Sequence, residues 1–231
     1  SEFTLTGLDD YVIWTQQAEQ EKINLENEEV VFAGFGVVAP ENNWNDYAGV
    51  DMKGKIVLVL VNDPDFGTND STFKGNTMTY YGRWTYKFEE AARHGAKGCI
   101  IVHDDIAAGY GFWVVQNSWN TSKLYLDSRG KDQSLCSAVG WVSQPSEKKH
   151  FEAAGMDYAQ ALSRAHKQGF TPEPMNLKLS TTMKVKARYN KSYNVIAKIP
   201  GAKQPDEYLV YSSHWDHLGV GKANEAGDSI Y

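Results

Sequence analysis

Apolar residues gather in short runs separated by polar, glycine-rich stretches. Gly54–Asp63, GKIVLVLVND, is near-continuous Val, Ile and Leu, the pattern of a strand buried on both faces. Glu28–Pro40, EEVVFAGFGVVAP, is a second β-rich run, closed by a proline, and Gly98–Asp104, GCIIVHD, a third, shorter one. Between the first and third lies Arg83–Gly95, RWTYKFEEAARHG, with Trp84, Phe88, Ala91 and Ala92 at helical spacing and Gly95 as a C-terminal stop. A strand, a helix and a strand in that order predict an α/β unit with a right-handed crossover.

Further along, residues 105–133 show no clean period and read as an irregular aromatic stretch, while Ser134–Ser143 predicts a strand. Two helices follow, separated by Gly155, with Tyr158, Leu162 and Ala165 on one face of the second. The pattern then changes. Asn176–Gly201 alternates as antiparallel strands do, and Glu207–His214, EYLVYSSH, reads as a last apolar strand. The expected organisation is a lead-in over 1–27, a mixed α/β domain over 28–180 and the strands of a second domain over 181–231.

The chain has 231 residues, 42% hydrophobic and 23% charged, enough to fill a real core. Its 23 Lys and Arg against 29 Asp and Glu give a net charge of −6, and no basic stripe is present, so a nucleic-acid partner is not expected. The longest apolar runs are too short to span a bilayer. Cys99 and Cys136 leave two readings open, one bridge or buried thiols.

Candidate chemistry is sparse. Gly34–Ala39, GFGVVA, formally fits a dinucleotide fingerprint, but Pro40 follows and no helix opens to face a pyrophosphate; Gly34 and Gly36 read instead as packing glycines. Val102–Asp105, VHDD, reads as a solvated turn. No Gly-x-Ser-x-Gly turn presents a serine. That leaves His214, Asp216 and His217 in SSHWDH, at the end of a predicted strand. His214 and Asp216 share a side if the strand continues, and H-x-D suits a zinc-binding imidazole whose other N–H is held by a carboxylate. Alone, this spacing is common, and on spacing the polar-loop reading is favoured over the metal one.

Flanking segments add to it. NVIAKIPG, EYLVYSSHWDHLGVG and GDSIY, in that order, resemble the opening of the catalytic domain in co-catalytic zinc aminopeptidases. Val30–Pro64 and Tyr80–Asp104, with AGYGFWVVQNSW (Ala108–Trp119), resemble the protease-associated domain inserted in bacterial members. The resemblance implies a mixed β-sheet or barrel with flanking helices, followed by the initial strands of an α/β zinc-peptidase domain. It implies His214 as a ligand to one of two Zn2+ ions, Asp216 as its orienter, a peptide substrate, and a periplasmic or extracellular location. The bridging aspartate, the Glu–Glu pair and the final histidine of the pattern would follow Tyr231, so these residues alone are expected to be inactive. The inserted domain is expected to act as a lid or interaction module, with Trp44, Tyr47, Tyr110, Trp113 and Trp119 as its surface. Unpaired strands after residue 180 would invite pairing with a second copy.

Overall fold

A computed structural model describes residues 5–119, 121–131, 133–214 and 227. The chain divides into two compact units, Ser1–Tyr189 and Asn190–Tyr231. The first is built on a six-stranded sheet: β1 (Tyr11–Trp14), β2 (Lys22–Phe32), β5 (Ile56–Leu60), β6 (Gly98–His103), β7 (Ala138–Ser143) and β8 (Glu173–Lys184). A two-stranded ribbon of β3 (Val38–Ala39) and β4 (Trp44–Asn45) stands apart. The large sheet runs β1-β7-β6-β5-β2-β8. Its four central strands are parallel, and β1 and β8 close the two sides antiparallel. Residues from both edge strands, Ile13 of β1 and Leu177 of β8, line one cavity of about 650 Å³, so the sheet curls toward a half-barrel.

Five helices accompany the described sheet: α1 (Trp84–Arg93), α2 (Asp105–Ala108), α3 (Phe112–Trp119), α4 (Gln144–Ala153) and α5 (Tyr158–Ala165). Alternation along β5 sorts them into layers. Val57 and Val59 face a core shared with Phe88 and Ala91 of α1 and Val115 of α3. Leu58 and Leu60 face the other core, with Phe151 of α4 and Ala161 and Ala165 of α5. The strand is therefore buried on both faces, as its unbroken Val, Ile and Leu run demands. The expected strand–helix–strand unit is β5-α1-β6, and Gly95 ends α1 at φ +75°, a backbone region that costs glycine little.

Three expectations are corrected. Residues 1–27 are more than a lead-in: they supply β1 and the first half of β2, whose Ile23 and Leu25 are buried. The first unit runs beyond residue 180, because β8 pairs with β2 as far as Lys22 and Lys184. Of the strands expected over Asn176–Gly201, β8 forms the part to Lys184; residues 185–201 and Glu207–His214 form none, and no described residue of the second unit lies in a helix or strand. Val195, Ile196, Leu209 and Val210 there are exposed. An extended segment becomes a strand only when a neighbour accepts its backbone hydrogen bonds.

Gly140 lets β1 close the sheet. It faces Ile13 across the β1–β7 ladder, and a Cβ added there would lie 2.4 Å from the Val12 carbonyl oxygen. Gly140→Ala is expected to cost about 1–3 kcal/mol, the usual penalty of overpacking. It should also speed amide hydrogen exchange in Tyr11–Trp14. An unchanged denaturation midpoint would contradict this.

Candidate functional site

Of His214, Asp216 and His217, the first lies among the described residues. His214 is exposed, and Asp216 and His217 lie outside the described residues. No three or more His, Cys, Asp or Glu side chains among those described come together to hold a metal ion. The residues in view therefore do not form the two-zinc set that the resemblance implies.

The expected contact surface divides in two. Trp44 and Tyr47 are core residues, which removes them from it. Trp44 packs its edge on Phe73 at 5.3 Å and donates its Nε1–H to Asp46 Oδ1 at 2.7 Å. Tyr47 stacks on His94 at 4.2 Å with an interplanar angle of 5°. Their polar setting in the sequence hid this: the Trp44 indole N–H meets a buried carboxylate, and the Tyr47 hydroxyl is buried without a hydrogen-bond partner among the described residues.

Tyr110 and Trp113 are exposed, whereas Trp119 is half-buried against the first core. The stretch expected to be irregular is folded there into α2 and α3. Asp104 caps α2 by accepting the Ile106 and Ala107 N–H groups, and Asp105 Oδ1 accepts the N–H of Phe112, the first residue of α3. These helices are short, and Val115 is the one described residue of α3 that is buried, so no amphipathic period announces them. Trp113 is 64% exposed. Trp119 stacks on Trp14 at 3.7 Å and meets Trp84 edge-on at 5.3 Å. Trp84, Tyr110, Trp119, Tyr125 and Trp141 line a pocket of about 450 Å³ beside α3.

Beneath these loops lies a buried polar centre that the sequence did not advertise. Lys87 of α1 is fully buried and donates from Nζ to the carbonyls of Phe35 at 2.5 Å and Asn62 at 2.8 Å. Phe35 follows β2 and Asn62 follows β5, so one ammonium ties together the loops at the C-terminal ends of two parallel strands. Burial lowers its pKa to about 8, although Asp63 and Asp46 draw it back upward. Asp46 is buried too; burial pushes its carboxyl up to about 7, against the Val37 N–H and Trp44 Nε1–H that it accepts. Burial also raises Asp63, which accepts from the Thr79 N–H at 2.6 Å.

His103 departs from the solvated-turn reading. It is buried beside Tyr110, Phe112 and Trp141, with Nδ1 3.2 Å from Asp105 Oδ1. Burial lowers its pKa, Asp105 opposing, so a neutral imidazole is favoured. Cys99 and Cys136 are buried free thiols, directed at the Lys87 and Phe88 carbonyls of α1. Of the two readings, buried thiols hold. Gly34 and Gly36 are packing glycines at φ +55° and +63°: a Cβ on Gly36 would lie 2.7 Å from Val59 Cγ1.

The curled mixed sheet, helices on both faces and an aromatic pocket beside α3 define an α/β module built on loops at strand ends, with a second unit following it in the sequence. Residues 27–128 match the PA domain family, and residues 194–229 match peptidase family M28. The chain is thus similar to a PA domain over the first stretch and to a part of peptidase family M28 over the second. Among solved structures, the aminopeptidase from Aneurinibacillus sp. strain AM-1 is similar at 18% identity and a TM-score of 0.27. The match covers 77% of this chain and 33% of that one. No curated protein matches.

Proposed function

We propose that this chain belongs to a zinc-dependent aminopeptidase, with His214 as one zinc ligand and Asp216 holding its imidazole. One observation carries the reading: both residues fall inside the stretch 194–229 that matches peptidase family M28. A carboxylate two residues from a ligating histidine can accept its second ring N–H, fixing tautomer and orientation. In this reading the 231 residues, which supply His214 of the zinc ligand set, are inactive on their own. The PA domain serves as a lid or interaction module beside the peptidase. A periplasmic or extracellular location accompanies this reading, and no helix among the described residues is long and apolar enough to cross a membrane. The exposed apolar residues of the second unit suit pairing with another chain, a second copy included.

Hydrolysis of leucine p-nitroanilide tests the assignment. The full-length protein is expected to show turnover that a chelator abolishes, and the 231-residue polypeptide none. Chelator-sensitive turnover by the short polypeptide would overturn its proposed inactivity, and chelator-resistant turnover by the full-length protein would overturn the zinc assignment. Run on peptides of increasing length, the assay also tests the lid: a full-length protein lacking the first unit should lose any preference for short peptides, and an unchanged preference rules the lid out.

A further inference from the structure

The aromatic pocket beside α3 carries an inference about what the module holds. Among the described residues no acidic side chain lines it; its walls are the rings of Trp84, Tyr110, Trp119, Tyr125 and Trp141, together with Lys123 and small or apolar side chains. One cation is already there. Lys123 Nζ sits over the Trp119 ring, 4.3 Å from its centroid, where the negative face of the indole attracts positive charge. The Trp119 ring is held for this role, stacked on Trp14 and braced by the edge of Trp84. Trp14 is fixed in turn, donating its Nε1–H to Tyr125 Oη at 2.6 Å.

Two further observations separate a peptide from a simple cation. The Nε1–H of Trp141 is buried without a hydrogen-bond partner among the described residues, and a buried donor of this kind calls for an acceptor. In addition, the segment bearing Lys123 is lightly held. Leu124 and Leu126 beside it are 93% and 91% exposed, so little apolar burial opposes its displacement.

We propose that this pocket binds a lysine or arginine side chain of a peptide, with Lys123 as the chain's own competing occupant. The incoming cation takes the face of Trp119, and the Trp141 Nε1–H, closed to solvent with Lys123 in place, is offered to a peptide carbonyl as the Lys123 segment moves aside. Burial within the aromatic walls lowers the Lys123 pKa, consistent with an ammonium that gives up hydration to sit there. The inference builds on the reading of the PA domain as an interaction module. It does not depend on the zinc assignment, since the probes below are blocked at both ends and need not be cleaved.

The test is calorimetric titration of the 231-residue polypeptide with acetyl-Ala-Lys-Ala-amide and with its norleucine counterpart, which has the same apolar stem without the charge. The lysine peptide should bind in the millimolar range or tighter, and the norleucine peptide should bind more weakly. Lys123→Gln removes the competitor and should tighten lysine-peptide binding about 2- to 5-fold, the fold-change equivalent to one exposed cation–π contact. Trp119→Leu should abolish the preference for lysine over norleucine. Because that variant also disturbs the Trp14 stack, the Lys123→Gln result decides on its own. Equal binding of both peptides, no binding of either, or unchanged or weaker lysine-peptide binding by Lys123→Gln would each overturn the proposal.

Discussion

Lys87→Met is expected to destabilise the first unit by about 3–5 kcal/mol, the range for removing one partner of a buried charged network. Methionine fills much the same volume but leaves the Phe35 and Asn62 carbonyls without the Nζ–H donors they now accept. It also leaves Asp63 and Asp46 without their nearest buried cation. In a unit of this size the melting temperature should fall on the order of 10 °C. A melting temperature unmoved by Lys87→Met would show that the ammonium holds nothing together.

The same centre should shape the pH dependence of stability. The folded pKa of Asp46, about 7, stands above its ordinary 3.8. The folded state therefore holds the extra proton between those values, and this group's contribution is lost as pH rises through about 7. For Lys87 the folded pKa of about 8 lies below the ordinary 10.5. There the unfolded state holds the extra proton, so stability recovers as pH rises from about 8 toward 10.5. Asp46→Asn should flatten the acid limb and Lys87→Met the alkaline one, as read by denaturant midpoints across the range.

The second large effect concerns activity. In the full-length protein His214→Ala should remove chelator-sensitive aminopeptidase turnover altogether, because a co-catalytic site works through metals held at fixed positions. Asp216→Ala should cost less, roughly 10–100-fold in zinc affinity or activity, the usual loss when a carboxylate that orients a ligating histidine is removed. Equal effects from the two substitutions would contradict their division into ligand and orienter.

Hydrophobic periodicity revealed the parts of the fold whose side chains obey it. The buried run Ile56–Leu60, the α1 face of Phe88, Ala91 and Ala92, and the break at Gly155 were all legible. Lys87 was not, because its charge argues for solvent and its burial depends on two carbonyls brought near by the β2 and β5 loops. His103 escaped for a similar reason: aromatic residues distant in the sequence enclose it. Strand β2 was half missed because Asn27, at φ +54°, and a bulge between Leu25 and Glu28 interrupt its alternation with β8. Trp44 and Tyr47 looked like a surface because polar neighbours surround them in sequence, whereas the fold turns those rings inward. At His214 the limit was different. H-x-D spacing is too common to mark a zinc site, and its meaning came from the flanking segments, which a match to peptidase family M28 over residues 194–229 supports.

Metal stoichiometry tests that assignment most directly. Zinc measured by elemental analysis on the purified full-length protein should be two ions per chain, and His214→Ala should lose bound zinc while circular dichroism shows the fold retained. An His214→Ala protein that keeps its full zinc complement would contradict the account.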